Sequence, residues 1–257
     1  MLHVVRHPAA APDGSPPLVI VHGLFGSARN WGGMARRLSG PRDVVAPDLR
    51  NHGDSPHRPG HAYADLAADL AGVLAAEGRP CDLLGHSMGG KAAMVLALTR
   101  GALVRRLVVA DIAPVAYAHD NSRHVAAMRG LDLAGLTSRA EADRRLAPAV
   151  PDAALRAFLL QSLDLKAVPP RWRLNLDALE AAMPAIVGWP VVEGRFDGPA
   201  LFVAGAESSY VLPAHRAAIA ALFPRARVAR LAGAGHWLHA DQPRAFEGAV
   251  ETFLRAP

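Results

Sequence analysis

The residues that could do chemistry begin with Gly85-His86-Ser87-Met88-Gly89, a serine held between two glycines in the pattern G-x-S-x-G. A serine in this pattern stands on a tight turn from a strand into a helix, with its oxygen pushed out of the sheet. An apolar strand candidate precedes it and a helix-like run, Lys91 to Thr99, follows, which is the context the pattern requires. A serine hydroxyl is a weak nucleophile at neutral pH, so it needs a base, and the base needs a carboxylate to orient it. His236, in Gly233-Ala234-Gly235-His236-Trp237, follows the last strand candidate, Arg227 to Leu231, and is the candidate base. Two carboxylates compete for the third role. Asp111 ends the strand candidate Leu107 to Ala110; the more common position lies one strand later, where Gly205-Ala206-Glu207-Ser208-Ser209-Tyr210 offers only Glu207. Asp111 is preferred and Glu207 stays as the alternative. Negative charge that develops on a carbonyl oxygen needs aimed donors. One is the N–H of Met88; the other comes from His22-Gly23-Leu24-Phe25-Gly26, with Leu24 the first choice and Phe25 the second.

These positions must be carried by a parallel sheet. Leu18-Val19-Ile20-Val21, Val44-Val45-Ala46, Cys81-Asp82-Leu83-Leu84, Leu107-Val108-Val109-Ala110 and Leu201-Phe202-Val203-Ala204 are short runs without polar alternation, as strands covered on both faces require. The opening residues Met1 to His7 read as a further strand, with no apolar stretch of the kind a signal peptide carries. Leu66, Leu70, Val73 and Leu74 form one helical stripe, and Phe246, Val250, Phe253 and Leu254 repeat the spacing after Pro243, a suitable first helical residue. Strand–helix alternation predicts an α/β fold with helices on both faces. The alternation stops between residues 114 and 198. Ser138-Arg139-Ala140-Glu141 opens one helix as a capping box, Pro151-Asp152 precedes a second through Phe158, Leu159 and Leu163, and Asp177 to Ala185 forms a third, with no strand between them. The reading is a hydrolase-like core over 1–113 and 199–257 with a helical cap, 114–198, inserted above the carboxyl ends of the strands, where sheet ligands bind.

The chain has 257 residues, enough for one large domain with its own core. One cysteine, Cys81, excludes an internal disulfide framework, reads as a core residue and fits a reducing, cytoplasmic setting. Lys91 and Lys166 are the only lysines, so the net charge of +5 is carried by scattered arginines. Without a basic block interleaved with aromatics these read as a solvated surface, and nucleic acid is not expected. No apolar run reaches the ~18 residues of a membrane span. The 12 histidines lack metal-ligand spacing, and no glycine-rich phosphate loop follows a strand, so neither metal nor cofactor is expected. Asn51 and His52 read as residues that stabilise the loop beside the site, and Lys91 as an ion-pair or capping partner.

Taken together, His22-Gly23-Leu24-Phe25-Gly26-Ser27, Asp48-Leu49-Arg50-Asn51-His52-Gly53-Asp54-Ser55, Gly85 to Lys91, Asp111-Ile112-Ala113-Pro114 and Gly233 to Trp237 resemble the YbfF-type esterases of the α/β-hydrolase superfamily. The resemblance runs from residue 18 to the end and is weakest in the 114–198 segment. It implies a serine carboxylesterase, with some acyl-thioester activity and no cofactor, acting on small-molecule acyl esters. It also implies the early acid, Asp111, and a supporting serine, Ser208, hydrogen-bonded within the triad. Glu207 stands where the family carries a small or amide residue. Two other readings are compatible with the motifs: the same triad used for carbon–carbon cleavage or elimination, as in menaquinone-pathway synthase relatives, and a non-catalytic ligand-binding protein. Oligomeric state is not legible.

Overall fold

The computed structural model describes residues 1–118 and 121–256; His119, Asp120 and Pro257, which fall in the ranges 114–198 and 199–257, lie outside them. The β-branched runs form the strands of one sheet: β1 (Val4–His7), β2 (Leu18–Val21), β3 (Val44–Pro47), β4 (Cys81–His86) and β5 (Val104–Ala110). Two short strands, β6 (Leu163–Asp164) and β7 (Arg171–Trp172), pair only with each other, and β8 (Ala200–Gly205) and β9 (Ala226–Leu231) complete the main sheet. Its order is β1-β3-β2-β4-β5-β8-β9, with β1 antiparallel to β3 and every other neighbour parallel.

Successive strand residues face opposite ways, so the sheet divides two cores. Leu18 and Ile20 of β2 pack under α1 (Ala28–Leu38), and Val19 and Val21 face the other side, against α2 (Tyr63–Ala75) and α3 (Met88–Thr99). Helix α3 is buried from Met88 to Leu98, which explains its run of glycines, alanines and aliphatic residues rather than an amphipathic stripe.

Between β5 and β8 the chain forms α4 (Ser122–Gly130), α5 (Arg139–Leu146), α6 (Ala153–Leu160), α7 (Leu176–Ala181) and α8 (Met183–Val187). Ser138 caps α5 by accepting from the Glu141 N–H at 3.2 Å, and Asp152 caps α6 by accepting from Leu155 N–H at 2.8 Å. Three details differ from the sequence reading. Leu163 lies in β6, because α6 stops at Leu160 and the chain reverses into a two-strand hairpin. The helix expected over Asp177 to Ala185 is two helices, broken at Ala182 before Pro184, whose ring fits a first turn but not a helix interior. Helix α4 left no signal that singled it out. After the segment, α9 (Arg216–Leu222) covers the α2–α3 side, while α10 (Leu238–Asp241) and α11 (Pro243–Arg255) join α1. No helix among the described residues is long and apolar enough to cross a membrane.

Candidate active site

Ser87 follows β4 with φ +53°, in the left-handed region that a non-glycine residue enters only under strain. Its neighbours are small of necessity. A methyl on Gly85 would lie 2.4 Å from Gly89 O, and one on Gly89 would lie 2.2 Å from His22 O. The turn therefore closes against the β2 loop, and the serine hydroxyl projects beyond the carboxyl edge of the sheet.

Asp111, at the end of β5, is fully buried and also held at positive φ, +50°. Its Oδ1 accepts from Gly205 N–H at 3.0 Å; its Oδ2 accepts from Ser208 Oγ at 2.5 Å and from His236 Nδ1 at 2.7 Å. A buried carboxylate must be satisfied at nearly every lone pair, and these three donors do so. Donation by Nδ1 fixes the tautomer of His236, leaving Nε2 to accept from Ser87 Oγ at 3.0 Å. The structure thus brings Ser87, His236, Asp111 and Ser208 into one hydrogen-bonded line. Glu207 is not in it: the residue is exposed, and its backbone N–H bonds to Ala234 O at 3.0 Å.

The loop after β2 supplies candidate donors. Phe25 N–H is already committed to His52 Nε2 at 3.2 Å, whereas the N–H groups of Leu24 and Met88 have no acceptor among the described residues. Both residues border a small cavity beside Ser87. The geometry separates the two candidates from this loop, Leu24 being free and Phe25 taken.

Several groups around this line escaped sequence reasoning. The Tyr210 ring stacks on His236, with centroids 3.9 Å apart and planes at 19°. His86 Nε2–H donates to the His236 carbonyl at 2.8 Å, which pins the backbone of the histidine loop. Burial pushes His22 down to about 4, His52 and His61 to about 3, and His86 well below the ordinary imidazole value. These rings are neutral hydrogen-bonding struts that add no positive charge beside the serine. His22, for instance, accepts from Leu49 N–H at 2.9 Å and donates to Gly23 O at 2.8 Å, joining the β2 and β3 loops. Only the x position within G-x-S-x-G could have pointed to His86; the tyrosine stack comes from tertiary contact alone.

Lys91 lies one helical turn past Ser87, fully buried. Rather than pairing with a carboxylate, its Nζ donates to Val187 O at 2.9 Å and to Gly188 O, capping the end of α8. Of the two roles expected, the cap is the one observed. Asn51 Oδ1 accepts from Arg58 N–H at 2.7 Å and His52 bonds within its own loop, both structural contacts. Cys81 is buried in the sheet, its thiol pushed up to about 12.

Among the described residues, His3, Asp48 and Asp54 are the one group whose ligand atoms approach closely enough to hold a metal. Asp48 is committed elsewhere, accepting from Ala28 N–H at 2.7 Å and Asp54 N–H at 2.8 Å. The cluster reads as a loop anchor.

Ser87 opens onto a groove of about 740 Å³ walled by α1, α6 and the histidine loop, with Leu155, Phe158, Trp237 and Met34 as its apolar lining. What this arrangement can do is transfer an acyl group to serine, with a histidine to move the proton and two N–H groups to hold the oxyanion.

Comparison with known proteins agrees with that chemistry. Residues 18–249 match the model of the alpha/beta hydrolase family. Esterase YbfF of Escherichia coli is 37% identical over 257 residues, covering 98% of this chain and 98% of that protein. The sn-1-specific diacylglycerol lipase ABHD11 of Mus musculus is 41% identical, covering 93% of this chain and 81% of its own. Among solved structures, a marine microorganism esterase superposes with a TM-score of 0.92 at 32% identity, covering 98% of each chain. The chain belongs to the alpha/beta hydrolase family and resembles its YbfF-type esterases, as its motifs imply.

Proposed function

We propose that this protein is a serine carboxylesterase that works through an acyl-enzyme on Ser87. The observation that carries the reading is the unbroken line from Ser87 Oγ through His236 to the buried Asp111, facing an open groove with two uncommitted N–H groups beside it. The names of the relatives, esterase and lipase, point to the same class of bond.

In the first half-reaction the Ser87 oxygen bonds to the ester carbon while its proton passes to His236 Nε2. Leu24 and Met88 N–H stabilise the oxyanion. Collapse breaks the carbon–alkoxy bond, and the proton from His236 leaves with the alcohol. In the second half-reaction water gives its proton to His236, attacks the acyl carbon, and the acid departs as Ser87 regains its proton. Asp111 holds the imidazole in the right tautomer and balances its charge, and Ser208 fixes the carboxylate. The 114–198 segment acts as a cap: α6 contributes Leu155 and Phe158 to the groove, and α8 contributes Ile186 and Val187 to the smaller cavity. Acyl thioesters fit the same chemistry. Small-molecule esters are the substrates, nucleic acid has no role, and the buried free thiol suits a cytoplasmic setting.

A fluorophosphonate should label the wild type at Ser87 and leave Ser87→Ala unlabelled. The variant should lose about 10⁴–10⁶-fold in kcat on p-nitrophenyl acetate, as removal of an essential nucleophile does. Labelling at another residue, or turnover close to wild type in the variant, overturns the reading.

A further inference from the structure

Two cavities meet at Ser87, and they differ in size and in which part of the machinery they touch. The groove of about 740 Å³ is bordered by His236, Trp237 and His239. The second, of about 30 Å³, is bordered by Met88, Lys91 and Ile112, and His236 does not reach it. Leu24, Ser87, Asn121 and Tyr210 border both and mark the junction.

The chemistry assigns a substituent to each side. A tetrahedral carbon on Ser87 Oγ carries three other groups. The oxyanion faces the N–H groups of Leu24 and Met88. The leaving oxygen has to receive its proton from His236 Nε2, so it lies on the imidazole side, toward the large groove. That leaves to the acyl carbon the side away from His236, where the small cavity lies next to Ser87 and Met88. We infer that the small cavity receives the acyl group and the large groove the alcohol, so that the enzyme is built for esters of short acids with bulky alcohols. This rests on the esterase reading above and adds the polarity of the substrate to it.

The size follows from the walls. Room for one water-sized group takes about 10–15 Å³ on this measure, so the small cavity holds about two, which suits an acetyl or propionyl tail. Its end is closed by rigid parts. Ile112 and Ile186 are buried, and Lys91, tied to the carbonyls of Val187 and Gly188, braces that wall against α3. Tyr63, which borders the same cavity, donates its hydroxyl to Ile186 O at 2.6 Å and fixes the same turn. A longer acyl chain would have to displace these bonded groups. A longer alcohol would extend along the large groove over Phe158 and Trp237, whose rings pack against each other with centroids 5.7 Å apart and form part of its wall.

Hexyl acetate and methyl heptanoate are isomers with the long chain on opposite sides of the ester, so comparing them tests the assignment with little change in hydrophobicity. Wild type should show kcat/KM at least tenfold higher for hexyl acetate. Equal rates, or a preference for methyl heptanoate (the orientation that cleavage of long-chain acylglycerols needs), overturn it. If Ser87 is labelled by fluorophosphonate and p-nitrophenyl acetate is turned over, that failure falls on the polarity alone; if neither occurs, the esterase reading falls and the polarity with it. Ile186→Ala should enlarge the acyl side and raise the ratio of p-nitrophenyl hexanoate to acetate hydrolysis by about tenfold. Val187→Ala should do the same more weakly and covers the case in which the first variant fails to fold. Phe158→Ala should reduce the preference for hexyl over ethyl acetate and leave the hexanoate-to-acetate ratio where it was. If the folded α8 variants leave that ratio unchanged, or Phe158→Ala is the one that moves it, the assignment is wrong.

Discussion

Asp82 and Asp111 sit on neighbouring strands at opposite ends of the sheet, both fully buried, and what surrounds them differs in one respect that matters. Asp82 is held by Arg42 Nη1 at 3.0 Å and by Arg105 through Nε at 2.8 Å and Nη2 at 2.6 Å. Guanidinium groups keep their protons throughout the working range, so this end is a fixed ion cluster. Asp111 is held instead by an imidazole, a serine hydroxyl and one backbone N–H. Its cationic partner exists only while His236 carries a proton. A buried carboxylate matched to permanent charge contributes structure, and one matched to a charge that comes and goes with a proton can serve catalysis. Backbone strain follows the same division, since Ser87, Asp111 and Phe25 all have positive φ at the carboxyl edge, the left-handed region rarely occupied outside such sites.

The sharpest way to break this contrast is to neutralise each aspartate without changing its shape. Asp111→Asn should lose about 10⁴-fold in kcat, because the amide favours the wrong tautomer of His236 and cannot balance the imidazolium. Ser208→Ala removes one of three donors to that carboxylate and should lose about tenfold. Glu207→Gln, on an exposed residue outside the line, should stay within about threefold of wild type. Steady-state kinetics on one ester series decides all three, and a crippled Glu207→Gln beside a healthy Asp111→Asn would move the acid to the later loop.

Asp82→Asn should show the reverse pattern. The buried Arg42 and the half-buried Arg105 lose their counter-charge, and breaking a buried pair from one side costs about 3–5 kcal/mol of stability. Because Asp82 lies at the far end of β4 from Ser87, kcat of the folded fraction should match wild type. Urea denaturation followed in parallel with activity separates the two effects. A large fall in kcat with unchanged stability would mean that the two ends are not independent.

Much of this division was legible in the sequence, for physical reasons that also explain where legibility ended. Strands buried on both faces leave continuous apolar runs, so β2, β4, β5 and β8 stand out, as does the helix opened by Ser138. The elbow is legible because close backbone approach restricts Gly85 and Gly89 to glycine, and the histidine loop because Gly233 takes a positive φ, +66°. Asp82, in contrast, sits inside an apolar run with nothing local to mark it as half of an ion cluster, since Arg42 and Arg105 arrive from other strands or loops. The two-residue strands β6 and β7 are shorter than one period of any pattern. The roles of Tyr210, His86 and the other neutral histidines depend on which rings the fold stacks together, information that spacing along the chain does not contain.

A third buried charge completes the comparison. Lys91 has no carboxylate partner among the described residues; its Nζ reaches two carbonyls and lies 4.8 Å from the Tyr117 ring centroid. Carbonyls and ring faces stabilise an ammonium only partly in a dry site, and burial pushes Lys91 from 10.5 down to about 7. In the unfolded chain the group returns to about 10.4. Between these values the unfolded chain binds more protons than the folded one. Stability from this group therefore rises with pH from about 7 toward 10 and is lost as pH falls through 7. Lys91→Met keeps the length of the stem and removes the titration. The stability of wild type relative to the variant should then climb by about 2 kcal/mol between pH 7 and pH 9, while groups common to both proteins cancel. Urea midpoints for both at pH 7, 8 and 9 measure this directly. A flat difference across that range would mean that the two carbonyls hold Lys91 fully charged, making it a permanent cation like those around Asp82.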